Sequence, residues 1–212
     1  MILSSIKQIL IDFIFPPHCL VCGEETESEN ICEDCKRKIK FMEYPLIEHD
    51  GRKFFYSITY YEGVMEKIIK KMKFYRLKSL SKDLSNMISN FIYKENISFD
   101  AIGYVPMTRK ELLERKFNQT YLIAKEISNL YNKPLIKGLK KIKTTRKQVG
   151  LSKKEREENL KNVFTIEEKI KGNILLIDDV YTTGSTAREL VKSVYKKTEG
   201  NIIFIAVSRK MN

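Results

Sequence analysis

The sequence predicts an α/β fold in which helices flank a mainly parallel central sheet, with a small cysteine-containing module in front. Two short segments, Ile174–Ile177 and Asn201–Val207, are apolar almost throughout, which is typical of parallel strands that are buried on both faces. Segments with apolar residues at helical spacing alternate with such strands, and this alternation favours helices on both sides of the sheet. We expect residues 1–45 to form the amino-terminal module and residues 46–212 to form the α/β domain.

The composition sets outer limits on what the chain can be. Its 212 residues, of which 42% are hydrophobic and 31% charged, suit one medium domain with a small addition and exclude wholesale disorder. No apolar run reaches the ~18 residues of a membrane span. With 39 Lys and Arg against 27 Asp and Glu, the net charge is +12. Such an excess is typical of proteins that bind nucleic acid, phosphorylated metabolites or membrane surfaces, and also of proteomes rich in lysine.

Residues 1–15 are mostly apolar, but Lys7, Gln8 and Asp12 interrupt the run. A secretory signal needs an unbroken apolar stretch and a small-residue cleavage site, so we expect no export and a cytoplasmic protein. The apolar residues recur at helical spacing, which predicts a short amphipathic helix. This helix would pack on the domain or lie on a membrane surface.

All four cysteines lie close together near the amino terminus. They form two Cys-x-x-Cys pairs, Cys19 with Cys22 and Cys32 with Cys35, and nine residues separate the pairs. Two such pairs can place four thiolates around one zinc ion and leave no coordination position for a substrate. We therefore expect a zinc-ribbon module with a structural zinc ion. Iron in the same cage, redox chemistry and two disulfides are the alternatives.

The hydrophobic periodicity and the turn residues place the remaining elements along the chain. In chain order, the predicted elements are a strand at Phe54–Tyr61, helices around residues 64–72 and 80–92, a strand at Ala101–Val105, a helix around residues 117–131 capped by Asn118, a short helix near residues 153–161 opened by a capping box at Ser152 and Glu155, a strand at Ile174–Ile177, a helix over about residues 186–197 and a strand at Asn201–Val207.

Two adjacent acids follow the buried strand Ile174–Ile177. Asp178 and Asp179 are expected at the solvent-facing carboxyl end of this strand, the place where ligands bind in open α/β sheets. Adjacent carboxylates repel each other, so a cation or hydroxyl donors must offset their charge. The diol of a ribose supplies two such donors.

A hydroxyl-rich turn comes next and runs into a helix. It consists of Thr182, Thr183, Gly184, Ser185 and Thr186. The glycine permits close backbone approach, and the first amides of a helix form an anion site that suits a phosphate group. A diol acceptor beside a phosphate site fits a sugar 5-phosphate. A purely structural turn with a capping box at Thr186 and Glu189 is the alternative, but it does not account for the two consecutive aspartates.

This segment resembles the phosphoribosyl pyrophosphate (PRPP) motif of the type I phosphoribosyltransferases, and the chain from Cys19 onward is similar to the ComF family. In that family a zinc-knuckle module precedes such a domain. The segments Arg115–Gln119 and Gln148–Asn159 and the paired cysteines carry the rest of the likeness. The resemblance implies a type I phosphoribosyltransferase-like fold, a role in natural competence and DNA uptake, and Mg²⁺ bound together with PRPP or a ribose 5-phosphate metabolite.

The resemblance also implies roles for individual residues. Asp178 and Asp179 would contact the ribose hydroxyls and act in catalysis, while the turn at residues 182–186 would hold the 5-phosphate. A second loop would hold the pyrophosphate through its backbone amides, and a lid would close over the ligand. The second loop is Val105, Pro106, Met107 and Thr108, and the lid contains Arg146, Lys147, Gln148 and Arg156. A solvated loop is the alternative for the lid.

The chain departs from the family's pattern at several of these positions. Relatives usually have glycine where this chain has Lys116, and often have tyrosine where it has Phe74. In the second loop, Tyr104, Met107 and Thr108 replace the usual proline, leucine and histidine.

Basic and aromatic residues along two helices make single-stranded DNA a second candidate partner. Phe74, Tyr75 and Phe117 lie among the basic candidates, which are Lys70, Lys71, Lys73, Arg76, Lys78, Arg115 and Lys116. Three functions stay open. The chain would be a PRPP-dependent phosphoribosyltransferase, a PRPP-sensing DNA-binding protein without turnover that works with competence helicase components, or a zinc-stabilised scaffold with a vestigial pocket. No base-binding segment is recognisable after the last strand.

Overall fold

The computed structural model describes residues 16–27, 30–143 and 162–211. The predictions for residues 1–15, for the lid residues and for the capping box at Ser152 lie outside the described residues. Within the described ranges, no helix is long and apolar enough to cross a membrane.

A five-stranded sheet forms the centre of the fold. In chain order, the described strands are β1 (Leu46–Asp50), β2 (Lys53–Tyr60), β3 (Ala101–Tyr104), β4 (Lys140–Lys141), β5 (Phe164–Thr165), β6 (Ile174–Tyr181) and β7 (Ile202–Arg209). The central sheet has the order β1-β2-β7-β6-β3, and only β1 runs antiparallel to its neighbour. β4 and β5 form a separate antiparallel pair. The predicted mainly parallel sheet is therefore confirmed.

Helices cover both faces of this sheet. The described helices are α1 (Glu33–Arg37), α2 (Gly63–Phe74), α3 (Leu80–Lys94), α4 (Arg109–Arg115), α5 (Gln119–Tyr131) and α6 (Ser185–Tyr195). Apolar residues of α2, α3 and α5 pack on one face of the sheet, and those of α6 and β5 pack on the other. In β6, Leu175 and Ile177 contribute to the first of these cores and Ile174 and Leu176 to the second. This two-sided burial explains why residues 174–177 of the strand are all apolar.

The structure refines two of the predicted boundaries. Strand β6 does not end before the acidic pair but continues to Tyr181, because Asp178 pairs with Ala206 and Tyr181 with Arg209 of β7. Helix α6 begins at Ser185, with Gly184 as its N-cap. The predicted capping box at Thr186 is therefore wrong.

The helix predicted around residues 117–131 is confirmed as α5. The side chain of Asn118 caps it by accepting hydrogen bonds from the amides of Thr120 and Tyr121. Phe117 lies just before the helix, in the hydrophobic core.

The cysteine module and the sheet share one hydrophobic core. Val21, Ile31 and Ile39 belong to the same buried cluster as the inward faces of α2 and α3. The side chain of Asn30 donates a hydrogen bond of 2.8 Å to Asp83 in α3. The division of the chain at residues 45 and 46 stays a prediction.

Lys116 adopts a left-handed conformation at the end of α4, with φ of 71°. An L-residue pays roughly 1–2 kcal/mol for this conformation, and glycine avoids most of that cost. We predict that Lys116→Gly raises the free energy of unfolding by about 1 kcal/mol in urea titrations. The matched control, Lys110→Gly within α4, should lower it by about 1 kcal/mol. A loss of stability in Lys116→Gly would contradict the assigned backbone conformation.

Candidate active site and zinc centre

The predicted acids and loops meet at one edge of the sheet. Strands β3 and β6 are parallel neighbours, and the amide of Val105 donates to the carbonyl of Ile177 at 3.0 Å. The loop after β3 thus lies beside the acidic end of β6, and the turn at residues 182–186 follows β6 directly. This is the edge at which open α/β sheets bind their ligands.

Asp179 lies in the interior, and the expectation that both acids face solvent is wrong for this residue. It is 4% exposed. Its carboxylate lies 2.8 Å from the ammonium of Lys73 and accepts a 2.6 Å hydrogen bond from the side-chain amide of Gln119. A buried carboxylate needs such partners because it has lost its contact with water. The partners come from α2 and α5, which pack on this side of β6.

Asp178 is the acid that keeps capacity for a ligand. The residue is partly exposed, and one carboxyl oxygen accepts the amide of Asp179 at 2.8 Å. Burial of its carboxyl group and, next, the negative charge of Asp179 raise its pKa to about 8, although Lys73 and the Asp179 amide act in the opposite direction. The described residues supply no partner for its second carboxyl oxygen. Asp178 can therefore accept a hydrogen bond from a ligand hydroxyl.

The turn between β6 and α6 has the geometry of an anion site. Gly184 has a φ of 76°, and a Cβ atom added there would lie 2.2 Å from the hydroxyl of Tyr181, so only glycine fits. Helix α6 has no acidic residue in its first turn. Within the described part of the chain, no acceptor bonds the amides of Thr186 and Ala187. These amides and the helix dipole favour an anion at this position.

Arg188 holds this turn in place, which the sequence analysis did not foresee. Its guanidinium forms two hydrogen bonds with Glu48 of β1, of 2.9 and 2.8 Å. A third bond of 3.0 Å reaches the carbonyl oxygen of Thr183 in the turn, and a fourth of 3.3 Å reaches the hydroxyl of Tyr181. The turn is thereby tied to the edge of the sheet. No local pattern signals this contact, because Glu48 precedes Arg188 by 140 residues.

The second loop offers fewer backbone amides than expected. The amide of Val105 is bonded to β6, and Pro106 has no N–H group. The amide of Thr108 donates to the carboxylate of Glu111 at 2.7 Å as part of a capping box at the start of α4. Of the four loop residues, this leaves the amide of Met107. The expected cradle of several amides is therefore absent from this conformation.

Glu111 brings a negative charge to the second loop. Besides capping α4, its carboxylate accepts a 2.6 Å hydrogen bond from Lys141. Burial opposes its ionisation, but the bonds from Lys141 and Thr108 outweigh burial and lower its pKa. The carboxylate of Glu111 thus occupies the positive environment of the loop.

The basic residues predicted to contact nucleic acid divide into two groups. The prediction that Lys73 contacts nucleic acid is wrong, because its ammonium is bonded to Asp179 and its side chain is only 18% exposed. Lys70 pairs with Glu66 on the same helix at 2.8 Å, and Lys71 is half-buried. The other exposed candidates are Arg76, Lys78 and Lys116, and Arg115 is half-buried.

The aromatic candidates divide in the same way. Phe117 is 6% exposed and belongs to the hydrophobic core, so it is not available to stack on a base. Phe74 and Tyr75 are 68% and 73% exposed. These two rings stand at the end of α2, directly after Lys73.

The four cysteines form a compact cluster that fits one metal ion. The sulfur atoms of Cys19, Cys22, Cys32 and Cys35 all lie within 4.8 Å of one another, and those of Cys22 and Cys32 are 3.7 Å apart. Tetrahedral Zn²⁺ with bonds of about 2.3 Å requires sulfur separations of roughly 3.8 Å. All four thiols are free of disulfides. The structural zinc site is therefore supported over two disulfides.

Backbone amides favour the thiolate form within this cluster. The amides of Val21 and Cys32 donate to the sulfur of Cys19 at 3.4 and 3.3 Å. Burial opposes ionisation of Cys19, but hydrogen bonds from the amides of Cys32, Cys22 and Val21 outweigh it and lower its pKa to about 6. Burial and the neighbouring thiols instead raise the pKa of Cys35. A bound cation would offset the repulsion among four thiolates.

Residues 10–63 match the double zinc ribbon domain family. The chain contains four cysteines in total, so it supplies one four-cysteine site. The matched range extends beyond the predicted module boundary at residue 45.

Three relatives cover most of the chain. Competence protein F of Haemophilus influenzae is 27% identical over 191 residues, which are 85% of this chain and 79% of the relative. The DNA utilization protein YhgH of Escherichia coli is 25% identical, with 82% of each chain covered. Competence protein ComFC of Bacillus subtilis is 25% identical and covers 84% of this chain and 72% of its own length. The predicted resemblance to the ComF family is thereby confirmed.

Two adenine phosphoribosyltransferases are among the solved structures that overlay on this chain. The enzyme from Saccharomyces cerevisiae overlays with a TM-score of 0.44 at 13% identity, covering 84% of this chain and 86% of its own. The enzyme from Thermoanaerobacter pseudethanolicus overlays with a TM-score of 0.43 at 15% identity, covering 84% and 99%.

Loss of one thiolate ligand should unfold the zinc ribbon, because metal binding supplies part of its folding free energy. We predict that Cys32→Ser loses its zinc in elemental analysis and that its melting temperature falls by roughly 10 °C, as expected for a loss of about 3 kcal/mol. The control His18→Gln, next to the first cysteine pair, should keep one zinc ion per chain. A zinc-loaded Cys32→Ser protein with an unchanged melting temperature would exclude a four-thiolate structural site.

The raised pKa of Asp178 predicts a pH-dependent stability. Between its ordinary value of 3.8 and its folded value of about 8, the folded state binds more protons than the unfolded state. The free energy of unfolding therefore falls as pH rises. From pH 5 to pH 7, the wild type should lose about 2–3 kcal/mol relative to Asp178→Asn in urea titrations.

Glu43→Gln removes an exposed carboxylate and serves as the control for this experiment. It should follow the wild type at both pH values. Equal pH dependence of the wild type and Asp178→Asn would show that the Asp178 carboxyl is ionised in the folded protein.

Proposed function

We propose that the chain binds PRPP, or a related ribose 5-phosphate metabolite, and acts in the uptake or use of DNA. One observation carries the ligand assignment. The acidic end of β6 continues without interruption into a glycine-capped helix, so a carboxylate for sugar hydroxyls and unbonded amides for a phosphate lie within a few residues of each other. The ligand that satisfies both at this distance is a sugar phosphate.

Within this proposal the two acids have different tasks. Asp178 accepts a hydrogen bond from a ribose hydroxyl. Asp179 is bonded to Lys73 and Gln119, and these bonds hold the end of β6 against α2 and α5. The amides of Thr186 and Ala187 bind the 5-phosphate. Arg188 keeps the turn in position through Thr183 and Glu48.

The proposed reaction is a transfer of the phosphoribosyl group with release of pyrophosphate. Bond breaking at the anomeric carbon creates positive charge on the sugar, which the Asp178 carboxyl would stabilise in its ionised form, the form that prevails above its pKa of about 8. Mg²⁺ bound with PRPP would neutralise the leaving pyrophosphate. Three of the four residues in the second loop have no free amide to offer the pyrophosphate.

The role in DNA metabolism rests on the relatives. Two of them are named competence proteins and one a DNA utilization protein, and each matches more than four fifths of this chain. The net charge of +12 suits a polyanionic partner.

Single-stranded DNA binding without turnover is the second candidate function. The exposed rings of Phe74 and Tyr75 and the exposed cation of Arg76 form a continuous segment at the end of α2. Stacked bases beside a basic backbone contact are the usual means of binding single strands. This segment adjoins the acid pair through Lys73, so DNA binding and PRPP binding are compatible in one molecule.

PRPP with Mg²⁺ should raise the melting temperature of the wild-type protein. A ligand at a hundred times its Kd stabilises by about 2.7 kcal/mol, which is a shift of several degrees. We predict that Asp178→Asn loses this shift, whereas Glu43→Gln keeps it. Mg²⁺ alone is the ligand control. If PRPP leaves the melting temperature of the wild type unchanged, the proposed ligand is wrong.

DNA binding should depend on salt and on the aromatic segment. We predict that the affinity for a single-stranded oligonucleotide falls steeply between low and physiological salt in fluorescence anisotropy. Phe74→Ala should weaken binding by about 1–3 kcal/mol. Tyr93→Ala, which removes an even more exposed ring from α3, should leave binding unchanged. Absence of binding at low salt would exclude this second function.

A further inference from the structure

A cavity of about 250 Å³ opens beside the acid pair, between the end of α2 and helix α4. Two of its lining residues also belong to the site described above. Lys73 is bonded to Asp179. The carboxylate of Glu111 accepts a hydrogen bond from the amide of Thr108 in the second loop. The cavity therefore lies between the acid pair and the loop. Its lining residues are Lys73, Phe74, Arg76, Glu111, Glu114 and Arg115.

Some of the lining groups are already bonded within the protein. Lys73 is used by Asp179, and the carboxylate of Glu111 accepts bonds from Thr108 and Lys141. Arg115 donates a single hydrogen bond of 3.3 Å, to the side-chain oxygen of Gln119, and its remaining N–H groups can still donate to a ligand.

Three other lining groups have capacity for a ligand. Within the described residues, the guanidinium of Arg76 and the carboxylate of Glu114 have no bonded partner. The ring of Phe74 is 68% exposed, and the guanidinium carbon of Arg115 lies 6.0 Å from its centroid. A cation, a carboxylate and an aromatic face thus converge on one small cavity.

These groups define the chemistry of a complementary ligand. A guanidinium binds a carboxylate through two parallel hydrogen bonds, so Arg76 selects an acidic substituent. The Phe74 ring selects a planar group that stacks on it. The Glu114 carboxylate accepts a hydrogen bond from an N–H group. The volume is below the 300–1,000 Å³ of ordinary ligand sites, which limits the ligand to a single ring.

We propose that this cavity is the acceptor subsite of the transfer reaction and that it takes a single-ring nitrogen compound with a carboxylate. The proposal rests on the proposed function. In the step, the lone pair of the ring or amino nitrogen forms a bond to the anomeric carbon of PRPP. The bond from that carbon to pyrophosphate breaks, and its electron pair leaves on the pyrophosphate oxygen. The proton of the nitrogen passes to the carboxylate of Glu114.

Orotate and uracil test the cavity directly, since they differ by one carboxylate on the same planar ring. We expect calorimetry on the full, zinc-loaded chain without PRPP to show orotate binding at least about tenfold more tightly than uracil. Arg76→Gln should remove this preference and leave uracil binding unchanged. Phe74→Ala should weaken both probes, and Glu114→Ala should weaken both by removing the acceptor for the ring N–H.

Two control variants separate the cavity from general effects of charge and surface. Lys110→Gln removes an exposed cation from α4 outside the cavity lining, and Tyr93→Ala removes an exposed ring from α3. Both should bind orotate as the wild type does. Equal affinity for orotate and uracil, no binding of either at millimolar concentration, or the same loss in Lys110→Gln as in Arg76→Gln would overturn the proposal.

The melting-temperature shift with PRPP and Mg²⁺ distinguishes failure of this proposal from failure of the proposed function. The shift should be unchanged in Arg76→Gln and Phe74→Ala, because neither residue is assigned to the sugar or to the 5-phosphate. Loss of the shift in Arg76→Gln would make the cavity the pyrophosphate site and would overturn its assignment to an acceptor. A wild type that prefers orotate but shows no shift would refute PRPP binding, and the acceptor role with it, while keeping a ring-acid site.

Discussion

The bond between Lys73 and Asp179 is the constraint on which the rest of the candidate site depends. A carboxylate inside the protein is costly unless a charged partner meets it at close range, and here the partner comes from the last turn of α2. Because Asp179 is satisfied internally, we propose different tasks for the two adjacent acids. Asp178 alone keeps an oxygen for a ligand, and the end of α2 is fixed beside it. The same bond fixes the positions of Phe74 and Arg76, which line the cavity beside Lys73.

The same helix connects the zinc ribbon to the candidate site. Apolar residues of the ribbon, including Ile31 and Ile39, share a core with the buried face of α2. Correct folding of the ribbon therefore supports the helix that presents Lys73 to β6. The cysteine cluster, the hydrophobic core and the acid pair are linked through one helix, α2.

Much of the fold and part of the site follow from local sequence patterns. The buried strands, the Asn118 cap, the acid pair and the position of Gly184 could be read from spacing alone, and the capping box of Thr108 and Glu111 has a local signature that the sequence analysis overlooked. The partners of Asp179 and of Arg188 could not be read, since Lys73 and Glu48 lie 106 and 140 residues away in the chain. Burial of Asp179 is likewise a property of how α2 and α5 pack on β6, which periodicity does not reveal.

The most direct measurement is a crystal structure of the protein with PRPP and Mg²⁺. We expect a ribose hydroxyl bonded to Asp178, the 5-phosphate bound to the amides of Thr186 and Ala187, and the bond between Lys73 and Asp179 intact. A ligand bound elsewhere, or a ribose that takes Asp179 while Lys73 moves away, would contradict the division of tasks between the two acids.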